Sequence, residues 1–77
     1  MTPMQERIAA HWRELLDVSE VKPADGFLDL GGNSLLATML ANRLEEELGV
    51  RPSMTDVFAW TLGELAAWCE QEPGPAA

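Results

Sequence analysis

Residues 25–37 read Asp25-Gly26-Phe27-Leu28-Asp29-Leu30-Gly31-Gly32-Asn33-Ser34-Leu35-Leu36-Ala37. The first half punctuates the chain, because Asp25-Gly26 and the Gly31-Gly32 pair break any regular period. The second half starts a helix, since Asn33 and Ser34 are both strong N-cap residues. Two registers are open. With Ser34 as the cap, its hydroxyl is occupied by a backbone N–H. With Asn33 as the cap, Ser34 becomes the first helical residue and its hydroxyl is free, preceded by two glycines that shield nothing. The junction is therefore a plain cap, a nucleophile, or an attachment point.

The helix that follows is expected over Ser34–Leu48, ended by Gly49. Ala37, Leu40, Ala41, Leu44 and Leu48 make its apolar stripe, and Leu35, Thr38, Met39 and Asn42 fall beside that stripe. Glu45, Glu46 and Glu47 crowd its C-terminal end, where the helix dipole disfavours acids. They serve partner recognition or form a solvated face. Upstream, residues 19–33 form a long loop with a Lys22-Pro23 break, a length that usually signals function inside a compact domain. Val21, Phe27, Leu28 and Leu30 are available to pin it to a core.

A first helix is expected from about Pro3 to Val18, with Thr2 before a proline at the first turn and Ile8, Trp12, Leu15 and Leu16 facing inward. Beyond Arg51-Pro52, Ser53 or Thr55 caps a short helix through Met54, Val57 and Phe58. Thr61 caps a last helix, Glu64 completes a capping box, and Leu62, Leu65, Ala66 and Cys69 share its inner face. From about residue 72 the sequence reads as a flexible tail. No strand pattern or internal repeat is present. The expected fold is all-α, a small up-and-down four-helix bundle of three longer helices and one short one.

The chain has 77 residues, enough for one domain, residues 1–77. Thirteen acids against five bases give a net charge of −8. That balance argues against nucleic acid, which rewards Lys and Arg, and against anionic membranes. It favours partners with basic surfaces. A single cysteine rules out an internal disulfide framework and suits a reducing, cytoplasmic setting. No apolar run approaches the roughly 20 residues of a membrane span.

Catalysis by Ser34 finds little support. A hydrolase elbow reads G-x-S-x-G, and Leu36 stands where its second glycine belongs. The single histidine, His11, lies on the first helix. A calcium loop counted from Asp25 through Asp29 and Asn33 has Leu30 at the glycine position and Leu36 at the glutamate position. We therefore expect no enzyme, no catalytic residue and no metal. Cys69 is expected to be buried and inert.

The stretch from Asp25 to Ala37 resembles the modification signature of carrier proteins, most closely the peptidyl carrier (thiolation) domains of nonribosomal peptide synthesis. The resemblance continues through Leu40, Arg43, Leu44, Glu47, Leu48, Gly49 and Val50 to Phe58 and Leu65-Ala66, and covers Trp12 and Leu16 upstream. It implies an acyl carrier protein-like bundle with a 4′-phosphopantetheine arm on Ser34, installed from coenzyme A by a phosphopantetheinyl transferase. The arm carries aminoacyl or acyl thioesters. Implied partners are an adenylation enzyme or acyl ligase, then condensation, tailoring or thioesterase enzymes. Asn33, Leu35, Thr38, Met39 and Trp60 are the expected docking residues, Trp60 being either a partner contact or a core plug. Asn33 stands where many peptidyl carriers have His and many acyl carriers Asp. The usual Pro-Thr pair before the last helix is absent from Phe58-Ala59-Trp60-Thr61-Leu62.

The context of Phe27 and the double glycine favours the peptidyl type over an acyl carrier of polyketide or fatty-acid synthesis. A rival from another class is an acidic helical adaptor in which Ser34 is only a cap. The initiating Met and loose tail fit a free-standing monomeric carrier, and an excised domain fits equally.

Overall fold

The computed structural model describes residues 1–71. The expected tail from residue 72 lies outside the described residues. Within them the chain forms α1 (Pro3–Leu16), α2 (Ser34–Leu48), α3 (Met54–Ala59) and α4 (Leu62–Gln71). These are the three longer helices and one short helix expected from the periodicity.

Each helix starts where a short polar side chain can accept a first-turn N–H. Thr2 accepts from Gln5 and Ser53 from Asp56. Thr61 and Glu64 exchange two bonds at the head of α4, at 3.2 and 2.9 Å, the reciprocal arrangement that satisfies two orphan donors at once. Helix α1 stops at Leu16 and not near Val18. Asp17 turns left-handed at φ 55° and returns its N–H to Arg13. A short polar side chain tolerates that conformation. At the end of α2 Gly49 adopts the same conformation at φ 76°.

The core joins Ile8 and Trp12 of α1, Leu40 and Leu44 of α2, Val57 of α3, and Leu62 and Leu65 of α4, all fully buried. The long loop contributes Val21 and Phe27 to it. Leu28 does not pin the loop as expected. It is 51% exposed, while Leu30 packs against the core's edge. The loop is instead stapled to α4 through the backbone. Leu62 N–H donates to Asp25 O and Gly63 N–H to Pro23 O, both at 2.9 Å, and Gly26 and Thr61 form an isolated antiparallel bridge. Two of the orphan donors at the head of α4 are thus satisfied by a segment far upstream, as buried helix ends require.

Within the acidic end of α2, Glu47 has a structural role. Glu47 accepts from Arg7 Nε at 2.9 Å and is bonded to His11, both on α1. Arg43 reaches Glu14 at 2.9 Å. Chiefly through the His11 hydrogen bond, with Arg7 assisting against desolvation, the Glu47 carboxyl is held below its ordinary value of 4.5. A depressed carboxylate contributes stability above its unfolded pKa and loses it as pH falls through the folded one. Glu47→Gln is therefore expected to lower the melting temperature near pH 7 by a few degrees, as befits a pair worth at most about 1 kcal/mol. The gap to wild type should close as the pH is taken well below 4.5. Thermal melts near neutral pH and in strong acid check this, and an equal gap under both conditions would remove Glu47's charge from the account. Cys69 is buried on α4, and desolvation pushes its thiol up to about 11, where it is an inert apolar side chain.

Candidate functional site

Asn33 is the cap of α2. Its backbone is extended and its Oδ1 accepts the Leu36 N–H at 2.9 Å. Ser34 is consequently the first helical residue. It is exposed, and its hydroxyl bonds to no other described residue. The backbone N–H groups of Ser34 and Leu35 also lack an acceptor among the described residues, since Asn33 takes Leu36 through Oδ1 and Ala37 through its carbonyl. First-turn acids complement the dipole of α1 (Glu6), α3 (Asp56) and α4 (Glu64), whereas α2 has none. The positive end of α2 is left for an anion from outside, beside a free hydroxyl.

The two glycines have a structural reason that their reading as mere absence of shielding does not capture. Gly31 sits at φ 100°, a region where side chains are strained. Gly32 lies directly on Phe27. A Cβ there would fall 2.3 and 2.5 Å from two ring carbons and 2.7 Å from Phe27 O. Gly32 N–H donates to that same carbonyl at 2.9 Å. Phe27 is buried edge-on to Trp12, with ring centroids 5.2 Å apart. The loop's approach to Ser34 is thereby fixed to the core through α1.

Leu35 and Met39 share a face of α2 and are 69% and 38% exposed. Thr38 lies between them, its hydroxyl donating to Ser34 O at 3.0 Å. It belongs to this face but spends its donor within α2. Asn33, Ser34, Leu35, Thr38 and Met39 are thus brought together at the head of one helix. Trp60 stands on another element, at the C-terminal end of α3. It caps α3 and packs on Trp68 of α4 at 5.9 Å between centroids, half-buried in support of the core's edge. Met54 at the start of α3, 41% exposed, joins the α2 side of the molecule through a cleft it shares with Ala37, Thr38 and Ala41. From sequence the short helix runs through Met54, Val57 and Phe58, with Met54 assigned to no surface. Its place as the first residue after the Ser53 cap, ahead of the packed turn, was the available signal.

A helical bundle that offers a bare serine hydroxyl at a positive helix end lacking its own acid, with exposed apolar side chains beside it, defines a carrier-type domain. The phosphopantetheine attachment site family matches residues 6–69, and the chain belongs to that family. It is 42% identical over 67 residues to one of the linear gramicidin synthase proteins of Brevibacillus parabrevis, a match covering 87% of this chain and 1% of that protein. Its fold superposes on a chain in the structure of the phosphopantetheine transferase Sfp in complex with coenzyme A and a peptidyl carrier protein. There the TM-score is 0.89 at 26% identity, covering 94% of this chain and 95% of that one. The structure of McyG A-PCP complexed with phenylalanyl-adenylate matches with a TM-score of 0.81 at 30% identity, over 90% of this chain and 11% of that chain. No helix of the described residues is long and apolar enough to cross a membrane.

Proposed function

We propose that residues 1–77 act as one peptidyl carrier unit, bearing 4′-phosphopantetheine on Ser34 and shuttling aminoacyl or acyl groups between enzymes of nonribosomal peptide or related natural-product assembly. The observation that carries this reading is the free hydroxyl of Ser34 at the first helical position, with Asn33 doing the capping. The residues fit the group. Ser34 supplies the oxygen to be esterified, and the unpaired N–H groups of Ser34 and Leu35 with the helix dipole offset a phosphodiester's charge. When bound, the group supplies a terminal thiol that holds cargo as a thioester. This chain's side chains do no chemistry on that cargo. His11, its single histidine, lies on α1 bonded to Glu47, and in this reading catalysis belongs to the partners.

Those partners, in this reading, are a phosphopantetheinyl transferase, then an adenylation enzyme or acyl ligase, then condensation, tailoring or thioesterase enzymes. The need for coenzyme A and for ATP-dependent activation supports a cytoplasmic setting. Incubation with coenzyme A and a promiscuous transferase should add one phosphopantetheine per chain, located by mass spectrometry on the peptide containing Ser34. No gain, or a gain elsewhere, overturns the reading.

Leu35 and Met39 are the docking contacts we expect to matter most, because flexible apolar side chains suit several successive partners. Leu35→Glu should lower the modification rate at least about tenfold, the cost of putting a charge into a desolvated contact. Its circular dichroism should match wild type, since the position is exposed. An unchanged rate in both Leu35→Glu and Met39→Glu would move the docking surface elsewhere.

A further inference from the structure

A cleft of about 120 Å³ opens between α2 and α3. Thr38, one of its lining residues, is bonded to the carbonyl of Ser34, so the cleft begins one turn below the hydroxyl. The link leading into α3 is short. Val50 and Pro52 are both buried, and Arg51 between them is exposed. Its side chain lines the cleft and returns to α2, where Nη1 donates to Asn42 Oδ1 at 2.6 Å and lies 3.5 Å from Glu45 Oε1. Asn42, which the helical period sets beside Leu35 and Met39, is thus engaged with Arg51. Helix α3 has six residues, of which Val57 is its buried anchor.

We propose that Arg51 is a positioning residue. It clasps the start of α3 to α2 through Asn42 and so sets the spacing between Leu35 and Met39 on one side and Met54 on the other. This inference rests on the carrier reading, because that spacing is what a partner enzyme meets beside Ser34. Arg51, Asn42 and Glu45 are all exposed, so the clasp adds little to global stability. An interaction of that strength still shifts the population of a short helix severalfold between poses. A lysine carries the charge as a flexible point and holds one acceptor less rigidly than a planar guanidinium.

The test is steady-state modification by a promiscuous phosphopantetheinyl transferase with coenzyme A, varying the carrier concentration. Arg51→Ala should raise KM for the carrier about two- to fivefold with kcat unchanged and a melting temperature within about 2 °C of wild type. Asn42→Ala should raise KM in the same direction by an equal or smaller factor, because Arg51 keeps Glu45, and the double variant should be no worse than Arg51→Ala, which already removes the Asn42 contact. Arg51→Lys should recover part of the loss, and Glu46→Ala, which removes an exposed acid on the same helix, should match wild type. Backbone amide shifts in Arg51→Ala should concentrate on residues 54–59. A KM equal to wild type, additive losses in the double variant, a melting temperature that drops in step with KM, or unmoved α3 amides would each overturn the clasp. If wild type itself gains no phosphopantetheine, the carrier reading fails and the amide shifts still decide the clasp.

Discussion

Ser34→Ala is expected to take up no phosphopantetheine under conditions that modify wild type fully, and to melt within about 2 °C of it. Asn33→Ala is expected to show the reverse pattern. The two neighbours divide the labour of one helix start. Asn33 satisfies the Leu36 N–H, and removing such a cap costs about 1 kcal/mol, or about 4–8 °C for a domain of this size. The Ser34 hydroxyl bonds to no described residue and so adds nothing to the fold, and alanine at a first helical position is at least as good a helix former. In the proposed reading modification uses the Ser34 oxygen, while Asn33's amide oxygen is already spent on the cap. Asn33→Ala should therefore still be modified, at a rate reduced only by the fraction of frayed α2. Mass spectrometry and thermal melts on both variants check the pair. If Ser34→Ala were the destabilised variant and Asn33→Ala the neutral one, the serine would be the cap, and the adaptor reading would gain what the carrier reading lost.

The helix starts were readable because each rests on local chemistry. Thr2, Asn33, Ser53 and Thr61 each meet donors within three residues, and the sequence alone displays both partners. Gly49 marked the end of α2 for the same reason. Where the reading stopped short, the cause was a partner distant in sequence. Leu28 and Phe27 are adjacent apolar residues, yet one is outside and the other is under Gly32, a choice made by Trp12 on α1. Among the acids at the end of α2, Glu47 looks misplaced against the dipole until Arg7 and His11 approach it from α1. Asn42 looks like a surface residue of the docking face until Arg51 folds back onto it. The start of α2 at Ser34 was legible down to the choice between two capping registers. The backbone geometry at Asn33 resolves that choice, and no composition or period carries it.

The contact of Phe27 with Gly32 predicts a pattern that neither residue gives alone. Gly32→Ala forces a methyl into space held by the ring and by a backbone oxygen, and overpacking of this kind costs about 1–3 kcal/mol. Phe27→Ala would empty a fully buried aromatic site at about 3–5 kcal/mol and remove its edge-on contact with Trp12, worth about 0.5–1.5 kcal/mol beyond area. A chain of this length has about 4–12 kcal/mol in all, so Phe27→Ala should remove a large share of it and melt far below wild type. Phe27→Leu, nearer in volume, should cost about 1.5 kcal/mol and stay folded. The informative species is the double variant Phe27→Leu/Gly32→Ala. Leucine has no Cε and its Cδ methyls can turn aside, so the alanine methyl is relieved of part of the clash with the side chain but keeps the one against Phe27's backbone oxygen. The double variant should therefore be less destabilised than the sum of the singles by about 1 kcal/mol, the size of coupling seen between residues in contact. Urea unfolding of wild type, the two singles and the double measures the coupling directly. A sum that is simply additive would mean the ring does not lie on Gly32, and the loop that presents Ser34 would have to be held by something other than the core beneath it.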